Sequence, residues 1–238
     1  MKHTRIQAGL LSLIAVGMLT ATQANAFGLD SLKSAAGAAL SATAQGGEAA
    51  GAENLAEQQD ALMQRFNASM NNMLTAQAKT LEATGQNDIA SRTLAAAANY
   101  AEGAKVDGAS LAADTELTSN NQALIQSLLS QSGTLSSANR NTLAAAVPYY
   151  QNGLQEGSAL SGAFQSWLSN AKGSAGSLLS NPLAAGELTN SITQASAVAS
   201  KLPNLINAWS GTSQSFLNLA NANQVDAGQI QSILAALN

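Results

Sequence analysis

Cysteine and histidine are almost absent from this chain of 238 residues, which has no cysteine and a single histidine, His3. Without cysteine the chain forms no disulfide and cannot become a lipoprotein, since lipid attachment needs a cysteine at the new N-terminus. Beyond His3, nothing supplies the ligands of a structural zinc or haem site, a Ser-His-Asp triad or a Cys-His pair. There is also no Gly-x-Ser-x-Gly elbow, P-loop or dinucleotide fingerprint. We therefore expect no metal, no cofactor and no enzymatic activity.

Charged residues are also scarce, at 10% of the chain, and the acidic ones are in excess, with 14 Asp and Glu against 10 Lys and Arg. Binding to nucleic-acid phosphates requires clustered Lys and Arg, which such a chain does not supply. The same shortage disfavours binding to anionic lipid surfaces. We therefore expect no nucleic-acid partner, and a membrane interaction is disfavoured.

The N-terminus has the three-part organisation of a cleavable signal peptide. Lys2 and Arg5 form a positive n-region, and an apolar stretch covers residues 8–19. A short polar stretch then leads to Ala24-Asn25-Ala26, where the small residues Ala24 and Ala26 match a signal-peptidase site. This pattern predicts that the mature protein begins at Phe27.

A membrane anchor is the alternative interpretation of the same segment. Its apolar stretch has 12 residues, fewer than the roughly 20 that span a bilayer, so a signal peptide is favoured. Export predicts a periplasmic or secreted protein, and the segment is typical of a Gram-negative bacterium. Cleavage would remove His3 and leave 8 basic and 14 acidic residues.

Alanine dominates the composition, with 50 of the 238 residues. Among the larger aliphatic residues, 32 leucines stand against only 13 valines and isoleucines. Alanine and leucine favour helices, whereas β-branched residues favour strands. The composition predicts an all-α protein, an elongated bundle of about five to seven helices with alanine-rich packing.

The chain divides into a signal peptide (1–26), an N-terminal amphipathic segment with a linker (27–52) and a helical bundle domain (53–238). Segment 27–44 is interpreted as a first bundle helix rather than a membrane-surface helix, because Lys33 is its only cation. Within the bundle, Pro148 is expected to kink a helix or start a new one, and Pro203 to open a new one. Apolar spacing predicts helices over 53–84, 88–103, 109–131, 136–171, 187–202, from 203 onward and after Asp226. Asp88 is the expected N-cap of the second of these helices, and Ser136 or Ser137 is expected to open the fourth.

A pair of carboxylates remains as a catalytic arrangement that needs neither His nor Cys, as in glycosidases and lytic enzymes. Most of the acidic candidates are interpreted as solvated residues at helix ends, where they complement the helix dipole. Glu156 differs because it lies beside an aromatic stretch. The candidates are Glu53, Glu57, Asp60, Asp114, Glu116 and Glu156.

A second catalytic pattern, Ser-x-x-Lys, occurs at Ser169 and Lys172 and matches the acyl-transfer motif of penicillin-binding proteins. The supporting Ser-Asp-Asn and Lys-Thr-Gly elements are missing. In a chain with 27 serines, one such match is expected by chance.

The most distinctive stretch of the mature chain combines small and aromatic residues. Gly153, Gly157, Ser161 and Gly162 form a smooth strip that lets another backbone approach closely. We interpret it as a helix-packing strip, with self-association as the alternative. The aromatic residues of the stretch, interpreted as core rather than a ligand platform, are Tyr149, Tyr150, Phe164 and Trp167.

Together these patterns favour an exported, non-enzymatic helical protein that acts by binding or structure in the periplasm or outside the cell. Its partner would be an unidentified protein or envelope component, or a second copy in a homo-oligomer. A membrane-active helical protein is the first alternative. A carboxylate-dependent hydrolase of cell-wall or matrix polysaccharide is the second.

Overall fold

A computed structural model describes residues 48–101, 103, 104, 107–129, 133–175 and 182–237. Every regular element in these residues is an α-helix, which confirms the predicted all-α class. The predicted signal peptide and segment 27–44 lie outside the described residues. The helices are α1 (Glu48–Ala83), α2 (Asn87–Ala98), α3 (Gly108–Leu129), α4 (Ser137–Ala144), α5 (Val147–Ala175), α6 (Pro182–Ala222) and α7 (Gly228–Leu237).

The helices form a bundle around α1. Helix α1 packs against α2, α3, α4, α5 and α6, and α6 packs in addition against α3, α5 and α7. Small buried residues such as Ala76, Ala195 and Ala220 lie in this interior. Of the nine aromatic residues in the chain, seven are among the largest fully buried side chains: Trp167, Trp209, Tyr100, Tyr150, Phe66, Phe164 and Phe216.

A group of buried polar side chains joins four of the helices. Gln77 on α1 donates from Nε2 to the Thr118 carbonyl on α3 and to Thr212 Oγ1 on α6, both at 3.2 Å. Asn121 Nδ2 donates to Gln77 Oε1 at 3.1 Å and to Thr93 Oγ1 on α2 at 3.0 Å. Because buried polar groups are costly unless paired, these bonds fix the mutual register of the four helices.

Short polar residues cap several helices. Asp107 Oδ1 accepts from the backbone N–H groups of Ala109 and Ser110 at the start of α3, at 2.9 and 2.8 Å. Ser136, one of the two predicted caps of α4, accepts through Oγ from the Asn139 N–H at 3.2 Å. Asp226 Oδ1 accepts from the first N–H of α7 at 3.1 Å. These bonds satisfy donors that the helix itself leaves free.

Three local expectations differ from the structure. Helix α1 begins at Glu48, so the last residues of the stretch predicted as a linker are helical. Asp88 was expected to cap α2, but the helix begins at Asn87 and Asp88 lies in its first turn.

Pro203 was expected to open a new helix, and that prediction is wrong because α6 continues through it. A proline inside a helix costs about 3 kcal/mol. Pro203 itself is exposed, but Leu202 and Leu205 on either side are fully buried. Packing of these leucines outweighs the cost of the proline and holds both halves on one helix.

Candidate functional site

A groove of about 630 Å³ lies between α1, α5 and the connection from α2 to α3. Helix α1 forms its long side, because the lining residues recur every three or four positions and so share one face of the helix. On α1 they are Ala61, Gln64, Arg65, Asn67, Ala68, Asn71 and Asn72; the others are Tyr100, Ala101, Gly103 and Glu156.

Arg65 and Glu156 form an ion pair across this groove. Arg65 Nε donates to Glu156 Oε2 at 3.0 Å, and the two side chains are 28% and 32% exposed. The other end of the guanidinium is different, since Arg65 Nη2 is buried and has no hydrogen-bond partner among the described residues.

Two asparagines of α1 bond to the backbone of the last turn of α2 and of the α2–α3 connection, beside the groove. Asn71 Nδ2 donates to the Ala97 carbonyl at 2.8 Å, and Asn67 Nδ2 donates to the Ala104 carbonyl at 2.9 Å. The other polar atom of the Asn67 carboxamide, Oδ1, is buried and has no hydrogen-bond partner among the described residues.

Tyr100 is a buried residue of the groove lining. Its side chain is 1% exposed and its ring packs edge-to-face on Phe66, at 6.1 Å between centroids. The hydroxyl is buried and lies beside the carboxyl group of Asp114. Two buried polar atoms without a partner among the described residues, Arg65 Nη2 and Asn67 Oδ1, belong to residues that line one groove.

Asp114 on α3 lies behind Tyr100 and is itself 7% exposed. Burial raises the pKa of Asp114, and nearby Tyr100 and Asn99 offset part of that rise. Burial and the neighbouring Asp114 carboxyl in turn raise the pKa of Tyr100. The Tyr100 hydroxyl therefore remains protonated at neutral pH and can donate as well as accept.

The predicted carboxylates do not form a catalytic pair in this groove. Glu156 lines it, paired with Arg65, and is the only carboxylate among the described lining residues. Glu57, Asp60 and Glu116 are exposed and line no part of it, whereas Asp114 is buried. Glu53 lies in α1. Within the described ranges, no three His, Cys, Asp or Glu side chains converge as a metal site would require.

The glycine strip splits into a buried and an open part. Gly153 and Gly157 are buried, and a Cβ added to them would come within 2.5 Å of Met73 Sδ and of Trp209 Cζ3, respectively. Ser161 is half-buried, and Gly162 is exposed with no neighbour close to its missing Cβ. In the folded bundle, Gly153 and Gly157 contact the chain's own side chains and are out of reach of a second molecule.

The aromatic residues beside the strip lie mainly in the core. Tyr150, Phe164 and Trp167 are buried, and Trp167 Nε1 donates to the Leu55 carbonyl at 2.9 Å. Tyr149 is half-buried, with Lys79 Nζ 5.5 Å from the centre of its ring.

The Ser-x-x-Lys pair of the sequence lies away from the groove. Ser169 and Lys172 are both exposed on α5, outside the groove. None of the helices in the described ranges is long and apolar enough to cross a membrane.

Sequence reasoning missed most of the groove, including Arg65, Asn67, Asn71 and Tyr100. One signal was present, since Gln64, Asn67 and Asn71 recur at helical spacing on α1. A polar stripe on a long helix marks solvent exposure as readily as a binding surface, so the stripe alone could not identify the groove.

A comparison with known proteins finds no family model, no characterised protein and no solved structure that matches this chain.

Proposed function

We propose that this protein is exported and acts without catalysis, as a helical binding protein of the periplasm or cell exterior. The groove between α1 and α5 is its proposed contact site for a protein or other component of the envelope. A second copy of the chain is the alternative occupant.

One observation carries the proposal. Two buried polar atoms, Arg65 Nη2 and Asn67 Oδ1, have no partner among the described residues and belong to lining residues of a single groove. Leaving a buried donor or acceptor unpaired costs about 1–3 kcal/mol per group. A partner whose binding displaces the side chains that cover these atoms would pair with them and recover that free energy, which favours a binding role for this surface.

The groove offers little to a hydrolase that uses two carboxylates. Such enzymes need a second carboxyl group within about 5–10 Å of the first. Glu156 is the only carboxylate among the described lining residues. Its oxygen is already bonded to Arg65. We therefore place binding ahead of hydrolysis.

The first test is export and attachment. We expect the full chain, expressed in a Gram-negative host, to appear in the periplasm or medium with a new N-terminus at Phe27. The exported protein is then mixed with washed envelopes and sedimented. Retention of the intact chain in the cytoplasm would contradict the proposal.

Paired variants show whether the groove is responsible. The side chains of Gln64 and Asn72 line it and make no hydrogen bond to another described residue, so Gln64→Ala with Asn72→Ala should leave the fold intact. The matched control is Asn120→Ala with Asn218→Ala, at exposed positions of α3 and α6. We expect the groove variant to bind envelopes about tenfold more weakly, as loss of two hydrogen bonds implies. Equal binding by both variants would remove the groove from the proposal.

A further inference from the structure

The charged side chains among the described lining residues of the groove balance each other. Arg65 and Glu156 are its only charged residues among the described lining positions, and they are paired with each other. A strongly anionic ligand would have to compete with Glu156 for the guanidinium, and a cationic one with Arg65 for the carboxylate. The surface therefore suits an uncharged ligand better than a phosphate, a polyuronate or a basic segment.

The polar atoms of the groove complement an amide. Gln64, Asn67, Asn71 and Asn72 place four carboxamide groups along α1. The side chains of Gln64 and Asn72 make no hydrogen bond to another described residue, so the oxygen of each can accept and the nitrogen of each can donate. A peptide group presents one N–H and one C=O, so it can satisfy an acceptor and a donor at once.

The apolar part of the groove is made of small residues. Ala61, Ala68, Ala101 and Gly103 line it, which leaves room for a backbone but no deep pocket for a large side chain. The one aromatic lining residue, Tyr100, is 1% exposed and presents no open ring face. A sugar ring would lack the stacking surface that aromatic faces provide, which favours a peptide over a polysaccharide.

The length of the α1 wall sets the length of the ligand. Lining residues run from Ala61 to Asn72, about 16 Å along the helix at 1.5 Å per residue. An extended chain rises about 3.3 Å per residue, so the wall matches roughly five residues.

We infer that the groove binds an extended, uncharged peptide segment of about five residues with small side chains, supplied by a protein partner. This inference rests on the proposed function, because it names the ligand class of the same groove. Backbone amides of the segment bond to the carboxamides of α1, and its small side chains pack against Ala61, Ala68 and Ala101.

The test uses defined probes and the exported protein. The first probe is a capped pentapeptide of glycine, alanine, serine and asparagine. Matched peptides carry glutamate, lysine or tryptophan at the centre, and chitotriose, an N-acetylated sugar, is the carbohydrate probe. Binding is followed by the ¹H–¹⁵N signals of the side-chain amides of Gln64, Asn67, Asn71 and Asn72. We expect the neutral peptide to shift these signals with a dissociation constant on the order of 1 mM.

Variants and outcomes separate this inference from the proposed function. Gln64→Ala with Asn72→Ala should weaken peptide binding about tenfold, whereas Asn120→Ala with Asn218→Ala should not. No shift with the neutral peptide, shifts outside the groove, or stronger binding of chitotriose would each overturn the inference. If envelope attachment still depended on the groove in those cases, the proposed function would stand and only the ligand class would be wrong. If the peptide bound while envelopes did not, the inference would stand and the envelope partner would be wrong.

Discussion

The indole of Trp209 on α6 lies directly against the backbone of Gly157 on α5. A Cβ added at Gly157 would come within 2.5 Å of Trp209 Cζ3 and within 2.9 Å of Cε3. Trp209 is 1% exposed, so its rigid ring is enclosed in the core. This contact explains why a glycine occupies the middle of a helix, where it costs about 1 kcal/mol relative to alanine.

Substitution of two glycines of α5 by alanine should change the free energy of unfolding in opposite directions. Gly157→Ala forces the new methyl against the indole, and we expect the free energy of unfolding to fall by about 1–3 kcal/mol, as overpacking usually causes. Gly162→Ala meets no neighbour and should raise it by about 1 kcal/mol through helix propensity. Urea unfolding followed by tryptophan fluorescence measures both. Stabilisation by both substitutions would show that Trp209 does not confine Gly157.

The buried amides of Gln77 and Asn121 should be strongly coupled. Gln77→Leu removes one of the two acceptors of Asn121 Nδ2 and the donor to Thr212 Oγ1 and the Thr118 carbonyl. Asn121→Leu leaves Gln77 Oε1 and Thr93 Oγ1 without the donor that each has in the wild type. We expect each single substitution to cost about 1–3 kcal/mol, the usual penalty for a stranded buried polar group.

The double variant tests that coupling. In the double variant both amides are absent, so fewer buried polar atoms are left without a partner. The loss in free energy of unfolding should therefore be smaller than the sum of the two single losses by about 1 kcal/mol or more. Gln77→Leu combined with Gly162→Ala is the control, because these two sites share no partner and should be additive within about 0.5 kcal/mol. Additivity of the Gln77 and Asn121 substitutions would mean that the two amides do not act as a unit.

Helical periodicity predicted most of the fold, because apolar spacing within one helix is a local property of the sequence. Positions such as Phe66, Met70 and Leu81 on α1 follow this spacing and are buried. The groove is different in kind. Arg65 and Glu156 are 91 positions apart, and only the packing of α1 against α5 brings them together. The sequence indicated a close approach at Gly157, but nothing local identified Trp209 as the neighbour.

The Arg65–Glu156 ion pair should contribute little to stability. Both side chains are about one-third exposed, and such pairs usually contribute about 0–1 kcal/mol because water and salt screen them. We therefore expect Glu156→Gln to lower the free energy of unfolding by about 1 kcal/mol or less, and less again in high salt. Thermal unfolding at low and high sodium chloride measures this. A loss above about 2 kcal/mol would make the pair a structural element rather than a feature of the groove surface.

Two aspartates near the start of α3 should give the stability opposite dependences on pH. Burial holds the pKa of Asp114 above its usual value of 3.8, so the folded protein favours the protonated carboxyl. Its contribution is fully present below that value and is lost as the pH rises through the raised pKa. Relative to the wild type, Asp114→Asn should therefore gain thermal stability as the pH rises from 3 towards 7.

Asp107 provides the internal comparison. Hydrogen bonds from the backbone and side chain of Ser110 and the backbone of Ala109 lower its pKa below 3.8. The stability that this cap contributes is therefore present above that value and is lost as the pH falls through the lowered pKa. Asp107→Asn should be less stable than the wild type near pH 7, with the difference shrinking towards acid pH. Melting temperatures of both variants and the wild type across this range measure the two slopes. Because the substitutions are the same chemically, slopes of the same sign would show that burial of Asp114 does not control its ionisation.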